Sequence, residues 1–145
     1  MKYDSLKLEN QLCFPVYAAS RLITRAYQPH LEKLSLTYPQ YLVLMLLWEQ
    51  EGLTVNEIAG KLILNTNTVT PLLKRMEQQG LLLREKSKED ERKVIIRLSP
   101  EGFALREEAL AVPESLIREI GKTSFTMDEL MQLKGELDRL VDALR

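Results

Sequence analysis

The chain has 145 residues, 45% of them hydrophobic, and a formal net charge of -1, which is enough for one domain with a proper core and too little for two comfortable ones. With a pI near 5.9 it does not belong with proteins that coat nucleic acid non-specifically, so any basic surface has to be local. A single cysteine excludes an internal disulfide, one histidine argues against a zinc site, and the longest apolar run, residues 42–48, is far below the roughly 20 residues of a membrane span; with no signal-peptide pattern, a cytoplasmic protein without metal or cofactor is expected.

Residues 1–8 read as a loose lead-in. Helical periodicity begins near Glu9 or Asn10, with Leu12, Val16, Ile23 and Tyr27 in a long apolar stripe, and Pro29 is expected to end this helix. A second helix over residues 39–50 is apolar nearly all round and belongs in the middle of the domain; Glu51 and Gly52 break it. Residues 53–80 then read as two short amphipathic helices joined by a tight turn at residues 63–65. Thr54 and Glu57 form a capping box, and Ile58, Ala59 and Leu62 supply the buried stripe of the first helix. In the second, Val69, Leu72, Leu73 and Met76 fall at i, i+3, i+4 and i+7 and face inward. Asn65, Thr66, Asn67, Thr68 and Thr70 gather at its start, with Lys74 and Arg75 further along. Short polar side chains can reach base edges there while the cations meet phosphates. Pro71, about a turn into this helix, predicts a late start or a bend, and Gly80 closes it.

A strand at residues 81–86, a polar turn at 87–93 and a β-branched strand at 94–98 make a wing whose charged tip holds Lys88, Asp90 and Arg92. Residues 74–97 carry eight Lys/Arg against five acids, a local +3 that leaves -4 for the rest. Ser99 as N-cap and Pro100 at the first helical position open a helix with Phe103, Leu105 and Leu110, expected to bend at Pro113 and run to about Gly121. A second capping box, Thr126 to Glu129, opens the last helix, where Leu130, Leu133, Leu137, Leu140 and Leu144 form a coiled-coil-like seam. Neither terminal helix has an obvious place to bury its stripe against the centre, which predicts a homodimer built from them. The fold class is therefore mainly α with a small β wing (α+β). One domain spans 1–145, with a winged helix-turn-helix DNA-binding lobe at 53–99 between dimerisation helices at 10–35 and 100–145.

With these elements in order, the chain resembles the MarR family of dimeric winged-helix transcription regulators. The wing sequence SKEDERKVIIRL (residues 87–98) carries the most telling match, a D-x-R element made here by Asp90 and Arg92. The resemblance implies that Arg92 enters the minor groove beside the major groove occupied by the second helix of the pair, and that Asp90 orients it. Within the family the likeness is to the one-cysteine organic hydroperoxide repressors (OhrR), through LENQLCFPVYAASR (8–21), Tyr27, TYPQYL (37–42) and TPLLKRMEQQGL (70–81). It implies that Cys13 is the peroxide sensor, that tyrosines matching Tyr27 and Tyr38 approach it from the other subunit, and that Tyr17 lies beside it in its own chain.

The residues support this on their own terms. Cys13 falls within about the first turn of its helix, where unpaired N–H groups favour a negative charge, and Tyr17, four residues on, shares its face. Pro15 is expected to distort these first turns. Tyr27, fourteen residues on, lies about 21 Å along the same helix, out of reach of its own Cys13 but within reach of an antiparallel partner's. The favoured reading is a non-enzymatic repressor of a pseudo-palindromic duplex DNA operator. An organic hydroperoxide would oxidise Cys13, a low-molecular-weight thiol would form a mixed disulfide with it, and the DNA would be released. An alternative keeps the DNA-binding dimer but is released by a small, phenolic ligand, with Cys13 as packing. Two other classes are disfavoured: a thiol peroxidase, because no histidine adjoins Cys13 and His30 is expected at the surface beyond Pro29; and a purely protein-binding winged helix, because of the local +3.

Overall fold

The structure, a computed structural model, describes all residues from 1 to 145. Two short 3-10 turns, Asp4–Leu6 and Leu8–Asn10, lead into α1 (Cys13–Lys33). There follow α2 (Tyr38–Glu49), β1 (Leu53–Thr54), α3 (Val55–Leu62), α4 (Thr66–Gln78), β2 (Leu82–Lys86), β3 (Val94–Leu98), α5 (Pro100–Ala109), α6 (Ala111–Gly121) and α7 (Met127–Leu144). The three strands form one antiparallel sheet in the order β1-β3-β2, with Leu82 opposite Leu98 and Lys86 opposite Val94. Residues Leu53 and Thr54 of β1, too short to show an alternating pattern, pair with Ile96 and Ile95 and give the expected hairpin its third strand.

Prolines account for the main departures from the expected helices. α1 starts at Cys13, later than the periodicity suggested, so Pro15 is its third residue, where the N–H it lacks has no intrahelical partner to lose. It also continues through Pro29 to Lys33. One backbone bond is forfeited there, and burial of Leu31 in the core holds the final turn in place. His30 is consequently a half-buried helix residue, not a surface residue beyond the helix end. Pro71 neither delays nor interrupts α4, which runs from Thr66. Near Pro113 the break falls at Leu110, ahead of the proline, which becomes the third residue of α6.

Caps explain most other boundaries. Thr37 and Gln40 form a capping box at α2 that the sequence reading overlooked, and Thr54 and Glu57 form the expected one at α3. At α7 the Thr126 hydroxyl accepts the Glu129 N–H, but the Glu129 carboxylate accepts from the Thr126 hydroxyl, so only half of the expected box is made. Gly80, at φ +78°, ends α4: its N–H reaches the Glu77 carbonyl while that of Leu81 reaches Met76, a Schellman closure that favours glycine.

The core gathers around α2, whose Val43, Leu44 and Leu47 are almost wholly buried. Ile58, Val69, Leu73, Met76, Leu82 and Ile96 pack around it from α3, α4 and the sheet. α1 packs on α6 and α2 but buries only Leu31, and α7 buries none of its residues. Leu12 just before α1, Val16, Leu22 and Ile23 on it, and Met131, Leu133, Leu137 and Leu140 on α7, stay open. Uncovered apolar surface of this extent is uncommon on a monomeric protein.

Candidate nucleic-acid interface and thiol site

The turn between α3 and α4 depends on Ile63, which adopts the left-handed conformation (φ 56°, ψ 47°) so that the Leu64 N–H can bond the Ala59 carbonyl. A β-branched residue in that region is strained. Asn65 is the N-cap of α4, yet its side chain makes no capping bond, and with exposed Thr66, Asn67 and Thr68 it stands at the open end of the helix. Lys74 and Arg75 are exposed further along, whereas Thr70 is half-buried. The inward face is made of Val69, Leu72, Leu73 and Met76, as the periodicity requires. Helix phase alone therefore turns the polar and cationic side chains outward.

The wing tip is closed by its own backbone. The Ser87 Oγ accepts the N–H groups of Glu89 and Asp90, the Ser87 N–H reaches Lys93, and the Lys93 N–H returns to Asp90. Asp90 then accepts from the Arg92 backbone N–H at 3.1 Å and from its Nε at 3.2 Å. The Arg92 hydrogen bonds hold the Asp90 carboxyl below its ordinary value, its side chain first and its backbone next. Arg92 itself is almost fully exposed, aimed but uncovered, and Lys88 is exposed beside it. A cleft of about 420 Å³ brings Thr66 and Thr70 of α4 together with Arg84, Arg92 and Lys93 of the wing and with the start of α3. Arg84 escaped the sequence reading. Its Nη1 lies 3.8 Å from the Glu77 carboxylate, while its buried Nε has no partner; an arginine following three leucines in a strand was the available clue.

The thiol site is divided between the two ends of α1. Cys13 is the first residue of the helix and exposed, no side chain caps the helix start, and Tyr17 lies one turn on with the Arg21 guanidinium 5.2 Å from its ring centre. At the other end Tyr27 stacks on Tyr38 of α2, with ring centres 5.7 Å apart and planes at 21°. Tyr41, not anticipated from the sequence, completes a cluster at 6.2 Å from Tyr27 and 6.4 Å from Tyr38. Desolvation raises the pKa of all three phenols, with a further upward push on Tyr27 and Tyr41 from neighbouring phenols. They therefore stay protonated and able to donate. Within one chain, Tyr17 lies a turn along the helix from Cys13 and Tyr27 stacks on Tyr38, and the two groups stand at opposite ends of α1.

A helix pair with its polar face outward, set beside a wing that carries an oriented arginine, defines a winged-helix transcription regulator. Residues 25–108 match the family model described as transcriptional regulator SarA/Rot, and the chain belongs to that family. That span stops short of Cys13, but full-length relatives cover it. The chain is 50% identical over 143 residues to the organic hydroperoxide resistance transcriptional regulator of Bacillus subtilis (strain 168), covering 99% of this chain and 95% of the relative. A crystal structure of overoxidized AbfR bound to DNA is 39% identical, covers 100% of both chains and superposes with a TM-score of 0.77. Wild-type MarR in its apo form from E. coli shares the fold, with a TM-score of 0.74 at 24% identity over 90% of this chain and 96% of that one.

Proposed function

We propose that the protein is a homodimeric, redox-sensing DNA-binding repressor in the cytoplasm that lets go of its operator when an organic hydroperoxide oxidises Cys13. The observation that carries this is the division of the thiol site. The only cysteine heads an exposed apolar helix face, and a stacked, protonated tyrosine pair stands fourteen residues along the same helix. Antiparallel pairing of two α1 helices would set each Cys13 against Tyr27 and Tyr38 of the other subunit and cover the open apolar residues. The names of the relatives support this choice of stimulus: one relative is a hydroperoxide resistance regulator, and AbfR has been solved both reduced and overoxidized on DNA.

The Cys13 thiolate attacks the distal peroxide oxygen, the O–O bond breaks, and the alkoxide leaves and takes up a proton as the alcohol; sulfur loses two electrons and becomes the sulfenic acid. With no second cysteine in the chain, a low-molecular-weight thiol condenses with the sulfenic acid, expelling water and leaving a mixed disulfide. Phenolic donors that stabilise the thiolate fit the adduct less well and are displaced. Asn65, Thr66, Asn67, Thr68 and Thr70 would read base edges in the major groove, Lys74, Arg75 and Lys88 would meet phosphates, and Asp90 would aim Arg92 into the minor groove. Half-sites of a pseudo-palindrome lie roughly 34 Å apart, so a small change in subunit geometry loses both. Consumption of peroxide is then stoichiometric, as befits a sensor and not an enzyme.

A mobility shift on the DNA upstream of its own gene, with and without cumene hydroperoxide, tests this. Wild type should be released and Cys13→Ser should bind and stay bound. Release of Cys13→Ser by the hydroperoxide would sink the proposal, and release by aromatic acids alone would favour the ligand-driven alternative.

A further inference from the structure

The tyrosine pair and the DNA-reading lobe are joined by two side chains of α2. Gln40, in the first turn and buried, accepts the Thr37 N–H through its carbonyl oxygen and donates its amide at 2.9 Å to the side chain of Gln79, the C-cap of α4. Trp48, in the last turn, meets Tyr41 edge-on at 6.5 Å and donates its indole N–H at 2.9 Å to the Gly102 carbonyl of α5. Both bonds end on one corner of the fold. There Gly80 and Leu81 leave the recognition helix for the wing, and Ser99 leaves the wing for α5. The Ser99 hydroxyl donates to the Gly80 carbonyl, its N–H reaches the Leu81 carbonyl, and its Oγ accepts the Gly102 N–H.

We propose that Gln40 and Trp48 are positioning residues that carry the state of the Tyr27–Tyr38 pair, through α2, to the corner that anchors both the recognition helix and the wing. Tyr38 is the first residue of α2, and α2 is locked along its length by Val43, Leu44 and Leu47. A close-packed helix moves as a unit instead of flexing locally, so displacing Tyr38 shifts both ends of α2. Its two polar tethers, eight residues or about 12 Å apart along the helix, then transmit that shift to α4 and to the wing base within the same subunit. Reorientation of the reading head inside each subunit adds to any change in the spacing between subunits.

The inference rests on the redox reading above, and its test separates the two. Trp48 is the only tryptophan, so its emission reports this corner directly. In DNA-free wild type treated with cumene hydroperoxide, the emission should shift at the rate at which mass spectrometry records Cys13 oxidation, and it should not move in Cys13→Ser. Trp48→Phe keeps an aromatic ring but no N–H donor, and Gln79→Ala removes an exposed acceptor. In each, reduced operator affinity should stay within about threefold and Cys13 should oxidise at the wild-type rate, while the oxidised-to-reduced Kd ratio shrinks at least about fivefold. Wild type that leaves DNA on oxidation with its emission unmoved, or variants that keep the wild-type ratio, would overturn the coupling. Wild type that stays on DNA after Cys13 is oxidised would overturn the redox reading, and the coupling with it.

Discussion

Arg92 and Asp90, two residues apart at the wing tip, are joined three times: one carboxylate oxygen accepts both the Arg92 backbone N–H and its Nε, and the other accepts from Nη2 at 3.5 Å. A guanidinium held in this way enters a groove already oriented, and the ordering cost is borne before the DNA arrives. Arg92→Ala should therefore weaken operator binding by about 1–3 kcal/mol, roughly 5–150-fold, and flatten its salt dependence. Asp90→Asn behaves differently, because it frees the arginine and also removes a negative charge that faces phosphates. Non-specific affinity should rise while operator affinity falls. Fluorescence anisotropy on operator and scrambled duplexes measures both, and an unchanged ratio would show that Asp90 does not position Arg92.

The same ion pair sets a pH limit on the wing. The folded-state pKa of Asp90 lies below its ordinary value of 3.8, so its contribution to wing order is present above that value and is lost as pH falls through the lowered one. A carboxyl-carbon NMR titration should find Asp90 titrating below 3.8 in the wild type and nearer the ordinary value in Arg92→Ala.

The Asp90–Arg92 contact was implied by the family resemblance, and its two partners lie close enough in sequence for the wing turn to bring them together. The inward face of α4 was legible in the residues themselves, since Val69, Leu72, Leu73 and Met76 repeat at helical spacing. The Thr54–Glu57 capping box and the Ser99-Pro100 helix start were local patterns too. What escaped was long-range. Trp48 bonds a carbonyl 54 residues away, and no pattern around either residue announces it. Pro29 misled because the local cost of a proline is readable, whereas the burial of Leu31 that outweighs it is not. The tyrosine pair was visible only through family resemblance, and Tyr41, an unremarked neighbour in the same run, joined it through the packing of α1 on α2.

Gly102 tests the corner itself. A Cβ there would lie 2.0 Å from the Leu81 carbonyl oxygen, a backbone atom that cannot swing aside. Gly102→Ala should push α5 off the wing base, breaking the bonds from Trp48 and to Ser99, and destabilise the fold by about 3 kcal/mol or more, at the upper end of overpacking costs. Urea unfolding with an unchanged slope would measure the loss. A penalty below about 1 kcal/mol would mean that the close approach of α5 to the Leu81 backbone is not required.

Ile63 offers the opposite outcome. Its left-handed conformation costs about 1–2 kcal/mol in a β-branched residue, and its side chain, 56% exposed, recovers little by burial. Ile63→Asn, which tolerates that region, should stabilise the protein by about 1 kcal/mol and leave operator affinity unchanged. Loss of DNA binding without loss of stability would reveal that the isoleucine itself contacts DNA.

The tyrosine cluster predicts a loss of stability in alkali. Tyr27, Tyr38 and Tyr41 keep their protons above the ordinary pKa of 10.0 because burial disfavours the phenolate. Above pH 10 the unfolded chain therefore releases protons that the folded chain retains. Their full contribution to stability is present below the unfolded value and is lost as pH rises from about 10 toward the folded values. Tyr38→Phe removes one titrating group from the stack, keeps the ring and should lessen this decline. The same variant lacks the Tyr38 hydroxyl proposed to face the partner's Cys13, so its thiol should react more slowly with cumene hydroperoxide, while reduced operator binding persists. Denaturant melts at pH 8 and pH 10.5 and a single-turnover oxidation assay read both effects. An alkaline decline as steep as wild type's, or an unaltered oxidation rate, would remove Tyr38 from the corresponding role.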